Sequence, residues 1–121
     1  MTIILEGQPV TKKNSQQIIV VGGRTRIIPS KRYKEYREAA LLAIPAAARQ
    51  RMERPLNVQC VYFMQNDRRV DLVNLLEATC DILVDAGVIA DDNRHIVCSH
   101  DGSRVEIDRE RPRVEITITE V

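Results

Sequence analysis

The organisation of this chain is decided by one stretch, Asp71-Leu72-Val73-Asn74-Leu75-Leu76-Glu77, and by the residues that follow it as far as Gly87. At about 100° per residue, a helix over this stretch has one apolar face and, opposite it, a polar arc. The polar arc consists of Asn74, Glu77, Asp81 and Asp85. Asp71 suits the positive N-terminal end of the helix, and Gly87 suits its C-terminal end. The pattern therefore predicts an amphipathic helix with an acidic stripe.

Two further acids, Asp91 and Asp92, follow this helix in a short predicted turn. Carboxylates that are brought together repel one another and raise one another's pKa unless a cation lies between them. A divalent cation such as Mg²⁺ would explain the cluster. The alternative is that the stripe is only the solvated face of an amphipathic helix, although Asp85 in the last turn opposes the helix dipole.

The rest of the chain predicts short strands and one more main helix. Residues 17–21 and 24–28 flank Gly22-Gly23 and predict a β-hairpin. Ser30 is a suitable N-cap for a helix that Pro45 ends or kinks, and a short helix could follow over residues 46–51. The remaining predicted strands are residues 2–5, 56–64, 96–98, 105–107 and 114–119. These elements predict an α+β fold in one small domain, residues 1–121, with a mixed or antiparallel sheet and two main helices.

The charges divide the chain into a basic first part and an acidic second part. Residues 1–55 carry a balance of +7 and residues 56–121 a balance of −6, which leaves the net charge of +1. A nuclease needs a basic surface for phosphates beside an acidic site for metal. Attraction between the two parts, within the fold or across a dimer, is the competing explanation.

Composition excludes several other classes of protein. Only four residues are aromatic, so base stacking on an aromatic sheet is not expected. No apolar run approaches the roughly 20 residues that cross a membrane, and residues 2–5 do not resemble a signal peptide. We therefore expect a cytoplasmic protein without a membrane partner or a small organic cofactor.

The order of these motifs resembles the RusA family of Holliday junction resolvases, which are small dimeric endonucleases common in phages and prophages. The resemblance extends over nearly the whole chain. It rests on these motifs: Lys12-Lys13-Asn14-Ser15, Arg24-Thr25-Arg26, Ser30 with the helix that carries Tyr33, Asp71-Leu72-x-Asn74-Leu75, Asp81-x-Leu83, Ala86-Gly87 and Asp91-Asp92. The resemblance implies a RusA-like fold, a homodimer and metal-dependent hydrolysis of a four-way DNA junction.

The resemblance also implies the site residues. The family uses two aspartates separated by one residue, then a lysine on the same helix, then an aspartate of the later pair. Asp71 and Asp92 match the first and last of these positions, whereas Val73 replaces the second aspartate and Glu77 replaces the lysine. Valine cannot bind a metal, and glutamate cannot supply positive charge to the transition state.

Two accounts of these replacements remain open. In the first, the site is rebuilt: Asp71, Glu77, Asp81 and Asp92 ligate Mg²⁺ or Mn²⁺, Asp91 orients water or a ligand, and Asn74 holds a carboxylate. In the second, the protein binds branched DNA as a dimer but no longer cleaves it. A metal-sensitive interaction module that does not bind DNA is a third, more distant hypothesis.

The remaining predictions concern DNA and the dimer. Phosphate contacts are expected from Lys12, Lys13, Arg24, Arg26, Lys31, Arg32, Arg68, Arg69 and Arg94. Because the helix lysine is missing, the positive charge at the reacting phosphate must come from the loop lysines, from the arginine pair before the helix or from Arg94. The final strand and the kinked helix are the candidate dimer interfaces.

Overall fold

Two strands rich in β-branched and aromatic residues form the middle of the main sheet in the computed structural model, which describes residues 1–12 and 16–121. They are β4 (Leu56–Met64) and β7 (Arg113–Glu120), and they pair antiparallel. β1 (Thr2–Glu6) pairs with the free edge of β7, while β5 (Val97–Ser99) and β6 (Arg104–Ile107) run parallel to β4 along its other edge. The sheet is mixed, as the sequence predicted.

The predicted hairpin is confirmed. β2 (Gln16–Val21) and β3 (Arg24–Pro29) form a separate two-stranded sheet, in which Ile18 faces Ile27. Gly22 and Gly23 both have positive φ, at 58° and 76°, which is the backbone that a tight two-residue hairpin turn requires. The hairpin carries exposed apolar side chains, at Ile18, Val20, Val21 and Ile27.

The first helix, α1 (Lys31–Ala43), begins and ends where the sequence predicted. Ser30 caps it, because its hydroxyl accepts a hydrogen bond of 3.2 Å from the backbone N–H of Tyr33. The helix stops before Pro45, and a short 3₁₀ turn, Ala46–Ala48, replaces the predicted helix over residues 46–51.

The second helix, α2 (Leu72–Asp85), is the predicted acidic helix. Asp71 precedes it as the N-cap residue, and Gly87, with φ of 75°, ends it. The backbone N–H groups of Gly87 and Val88 donate to the carbonyls of Val84 and Leu83, which satisfies the end of the helix. Six residues of α2 are buried: Leu75, Ala78, Thr79, Cys80, Ile82 and Leu83.

One aliphatic core joins the sheet to both helices. Alternate residues of β4 and β7 face this core, including the predicted Val114, Ile116 and Ile118, which are 0%, 0% and 3% exposed. β7 lies between β1 and β4, so both its edges are paired within the sheet, and the final strand as a candidate dimer interface stays a prediction. Within the described part of the chain, no helix is both long and apolar enough to cross a membrane.

Candidate functional site

Asp71 lies at the exposed start of α2, directly after the segment that leaves the central strand. Its carboxylate forms no side-chain capping bond with the helix. It accepts a hydrogen bond of 3.3 Å from the side-chain amide of Asn74 instead. Asn74 therefore helps to hold this carboxylate, and Asp71 remains open to solvent at the positive end of the helix dipole.

Two adjoining clefts meet at the segment before Asp71. Arg68 and Arg69 line both clefts. The first cleft continues along residues 8–11 and includes Arg32 of α1, and the second continues along residues 105–107 of β6. Three of the predicted phosphate-binding arginines are thus brought together beside the start of α2, although Arg32 is far from Arg68 and Arg69 in sequence.

Lys12 reaches the middle of α2 from the loop that follows β1. Its ammonium donates a 2.8 Å hydrogen bond to Oδ2 of Asp81, and both side chains are about one-third exposed, at 37% and 33%. The ammonium also lies 5.8 Å from the ring centre of Tyr33, which is within cation–π range. The bond to Asp81 raises the pKa of Lys12, and the negative charge of Glu77 adds to this effect.

Asp92 lies in a region of negative potential. Its partial burial and the negative charges of Asp81 and Asp91 raise the pKa of its carboxyl above the usual range. Asp91 has the opposite shift, because the side-chain amide of Asn93 donates to it at 2.9 Å and the backbone N–H of Asp92 at 2.8 Å. The structure therefore groups Asp81, Asp91 and Asp92 electrostatically.

The acidic stripe of α2 is partly neutralised from within the fold. Asp81 pairs with Lys12, and Asp85 pairs with Arg37 of α1 at 2.8 Å. Both cations belong to the basic first part of the chain and both acids to the acidic second part. Ion pairs between the basic first part and the acidic second part of the chain thus explain two carboxylates of the acidic stripe, those of Asp81 and Asp85.

The predicted metal ligands are not assembled as one cage. Asp81 comes ten positions after Asp71, which is about 15 Å along a helix axis, whereas the ligating oxygens of one Mg²⁺ lie within about 4–5 Å of each other. Among residues 1–12 and 16–121, no group of three or more His, Cys, Asp or Glu side chains is arranged to hold a metal ion. Partial burial and the nearby charges of Asp81 and Asp91 raise the pKa of Asp92, and this local negative charge is the feature that suits a cation. The ligand set remains a prediction.

The other predicted DNA contacts are scattered. Arg24 and Arg26 are exposed on β3, Arg94 is exposed after the acidic pair, and Lys31 lies 3.7 Å from Glu35 on α1. Lys13 falls outside the described residues.

Sequence reasoning overlooked Tyr33 and Arg37 as neighbours of the acidic helix. Both belong to α1: Tyr33 packs in a cluster with Ala78 of α2 and lies near the ammonium of Lys12, and Arg37 pairs with Asp85 of α2. No local signal in the sequence could have paired them with Lys12 or Asp85.

A comparison with protein families decides how this arrangement is to be understood. The family model described as Endodeoxyribonuclease RusA matches residues 6–119. The chain belongs to the RusA endodeoxyribonuclease family. No individual curated protein matches the chain. The match begins at the last residue of β1 and ends within β7, so it includes Lys12, the hairpin and the acidic helix together.

Membership of the RusA family implies endodeoxyribonuclease activity and recognition of branched DNA. Nucleases that resolve junctions generally use a divalent metal. In this RusA domain, Asp71, the adjoining arginine-lined clefts and the Lys12–Asp81 pair are all at least partly exposed to solvent.

Proposed function

We propose that this protein is a divalent-metal-dependent endodeoxyribonuclease that resolves four-way DNA junctions. The observation that carries the proposal is the RusA match over residues 6–119, which includes every element around the site. Two further features support it: the open carboxylate of Asp71, and the two clefts that Arg68 and Arg69 share beside it.

The reaction is hydrolysis of one phosphodiester in each of two strands. Water adds to phosphorus, the bond from phosphorus to the 3′ oxygen breaks, and a proton passes to that oxygen. A bound Mg²⁺, or Mn²⁺ in its place, would activate the water and offset the developing negative charge. We propose Asp71 and Asp92 as its ligands, because carboxylate oxygens suit these ions. Glu77 would be a further ligand or would hold one in place, and Asp81, about 15 Å along α2 from Asp71, would hold neighbouring groups and would not share one ion with Asp71.

The remaining residues bind and orient the substrate. Asp91, whose carboxylate is held by Asn93 and the backbone of Asp92, would orient water or a ligand. Arg32, Arg68 and Arg69 would contact phosphates along the clefts. Such contacts depend on salt and favour the shape of a branch over its base sequence.

A two-fold homodimer is part of the proposal, because a symmetric junction offers two equivalent strands for cutting. The protein would act in the cytoplasm, where replicating and recombining DNA is found in bacteria and their phages.

The test is cleavage of a labelled four-way junction with Mg²⁺, with Mn²⁺ and with EDTA, beside the variant Asp71→Asn. Paired nicks that need metal and disappear in Asp71→Asn support a working resolvase with a rebuilt site. The second candidate is a branched-DNA-binding dimer that no longer cleaves, which the replacements Val73 and Glu77 favour. Tight junction binding without nicks under either metal supports that candidate. Absence of DNA binding would point to an interaction module.

A further inference from the structure

The residues that come just before Lys12 hold it against the acidic helix. Val10 is buried in a small cluster with Tyr33 of α1 and Ala78 of α2. Thr11 is also buried, at 4% exposed. Because the residues just before Lys12 are packed against both helices, the direction in which its side chain leaves the loop is fixed by the fold.

The ammonium of Lys12 lies among acidic groups and remains accessible to solvent. Asp81 accepts its 2.8 Å hydrogen bond, and the charge of Asp81 acts in turn on Asp92. An ammonium has three donors, and within the described part of the chain Asp81 accepts one of them. The side chain is 37% exposed, so a phosphate oxygen can approach the remaining donors from solvent.

Stability alone does not explain this pair. Ion pairs as exposed as this one contribute little to folding, because water and salt screen them. A lysine that is oriented by a carboxylate and an aromatic ring, and that stays open to solvent, is instead suited to receiving a substrate anion.

We propose that Lys12 supplies the positive charge at the reacting phosphate, and that Asp81 holds its ammonium in place until DNA binds. When DNA binds, the ammonium donates its hydrogen bond to a phosphate oxygen in place of the Asp81 carboxylate, or donates to both. In the transition state it offsets the charge that develops on the phosphoryl oxygens. The inference rests on the proposed endonuclease function. It explains where the positive charge at the reacting phosphate comes from when position 77 of α2 is glutamate and not lysine.

The first experiment measures junction binding in EDTA, where neither metal nor cleavage contributes. Removal of the cation in Lys12→Met should weaken binding and reduce the slope of log affinity against log salt by about one. Removal of the holding carboxylate in Asp81→Asn should strengthen binding, because the ammonium no longer has to leave a partner. The matched controls Lys34→Met and Glu38→Gln change one exposed charge on α1 and should have smaller effects.

If the Lys12–Asp81 ion pair had only a structural role, the expected result would be different. The pair would then make Lys12→Met and Asp81→Asn alter binding in the same direction, in parallel with a loss of thermal stability. That result, or an unchanged salt slope in Lys12→Met, overturns the proposal. Lys12→Gln replaces Lys12→Met should the latter fail to fold.

The second experiment measures single-turnover cleavage at saturating protein. Lys12→Met should cleave about 100-fold or more slowly, as when one charge-stabilising donor is removed, while Lys12→Arg should stay within about tenfold of the parent. Cleavage by Lys12→Met at the parent rate overturns the proposal. If the parent itself does not cleave, the proposed function fails, and the binding slopes alone then decide whether Lys12 meets a phosphate.

Discussion

Arg37 and Asp85 join the two helices, because the guanidinium of Arg37 donates to Oδ2 of Asp85 through Nε at 3.1 Å and through a terminal nitrogen at 2.8 Å. The last acid of the stripe on α2 thus has a structural partner on α1. This contact divides the stripe into an end that fixes α2 against its neighbour and a middle that faces Lys12 and Asp92.

Asp85→Asn should therefore leave DNA cleavage unchanged. Both partners are exposed, so the variant should lose only about 0.2–1 kcal/mol of unfolding free energy. Junction cleavage and urea unfolding measured on the same preparation check this. A loss of cleavage comparable to that of Asp71→Asn would show that the whole stripe takes part in the reaction.

Asp92→Asn should abolish cleavage and yet slightly stabilise the folded protein at neutral pH. The raised pKa of Asp92 means that the folded state binds its proton more tightly than the unfolded state does. Its contribution to stability is therefore complete below about pH 3.8 and is lost as pH rises through the higher folded value. Because this side chain is exposed, the gain at neutral pH should be about 0.5 kcal/mol or less.

Thermal unfolding of Asp92→Asn and the parent at pH 3 and pH 7.5 tests this sign. The melting temperatures of the two proteins should differ at pH 7.5 and agree at pH 3. Addition of Mg²⁺ should raise the melting temperature of the parent more than that of the variant, since a ligand that binds only the folded state stabilises it. Equal Mg²⁺ effects on both proteins would argue against Asp92 as a ligand.

Local patterns in the sequence were sufficient to predict the elements that carry the site. Asp71 and Gly87 predicted the ends of α2, Gly22-Gly23 predicted the hairpin, and Ser30 predicted the start of α1. These signals succeed because caps and tight turns depend on residues only a few positions apart.

Long-range pairings could not be predicted in the same way. Lys12 and Asp81 are 69 residues apart, and Arg37 and Asp85 are 48 apart. The interpretation that the stripe requires a metal did not include these internal cations. The neighbours of β7 in the sheet could not be predicted for a related reason, since alternation identifies a buried face and not the strands on either edge.

Arg68→Gln combined with Arg69→Gln should weaken junction binding and leave the fold unchanged. Both residues are exposed and line the two clefts beside Asp71. If each contacts one phosphate, the slope of log affinity against log salt should fall by about two. Arg104→Gln is the control, because Arg104 is also exposed but pairs with Glu106 on β6. If the double variant and Arg104→Gln showed the same slope, the bound DNA would not lie along the two clefts beside Asp71.

Val73→Asp should improve metal binding and cleavage. Val73 is 72% exposed in the first turn of α2, so an aspartate there meets no core packing. A carboxylate at this end of a helix is favourable by about 0.3–1 kcal/mol, and stability should hold or rise. The new carboxylate would restore the pair of aspartates separated by one residue that the resemblance to the RusA family implies.

Mn²⁺ affinity, measured by titration calorimetry, should increase in Val73→Asp and not in the control Val73→Asn, whose side chain has the same shape as aspartate. Single-turnover cleavage should rise with the Mn²⁺ affinity. Identical Mn²⁺ affinities for the two variants would mean that a carboxylate at position 73 does not reach a bound metal ion.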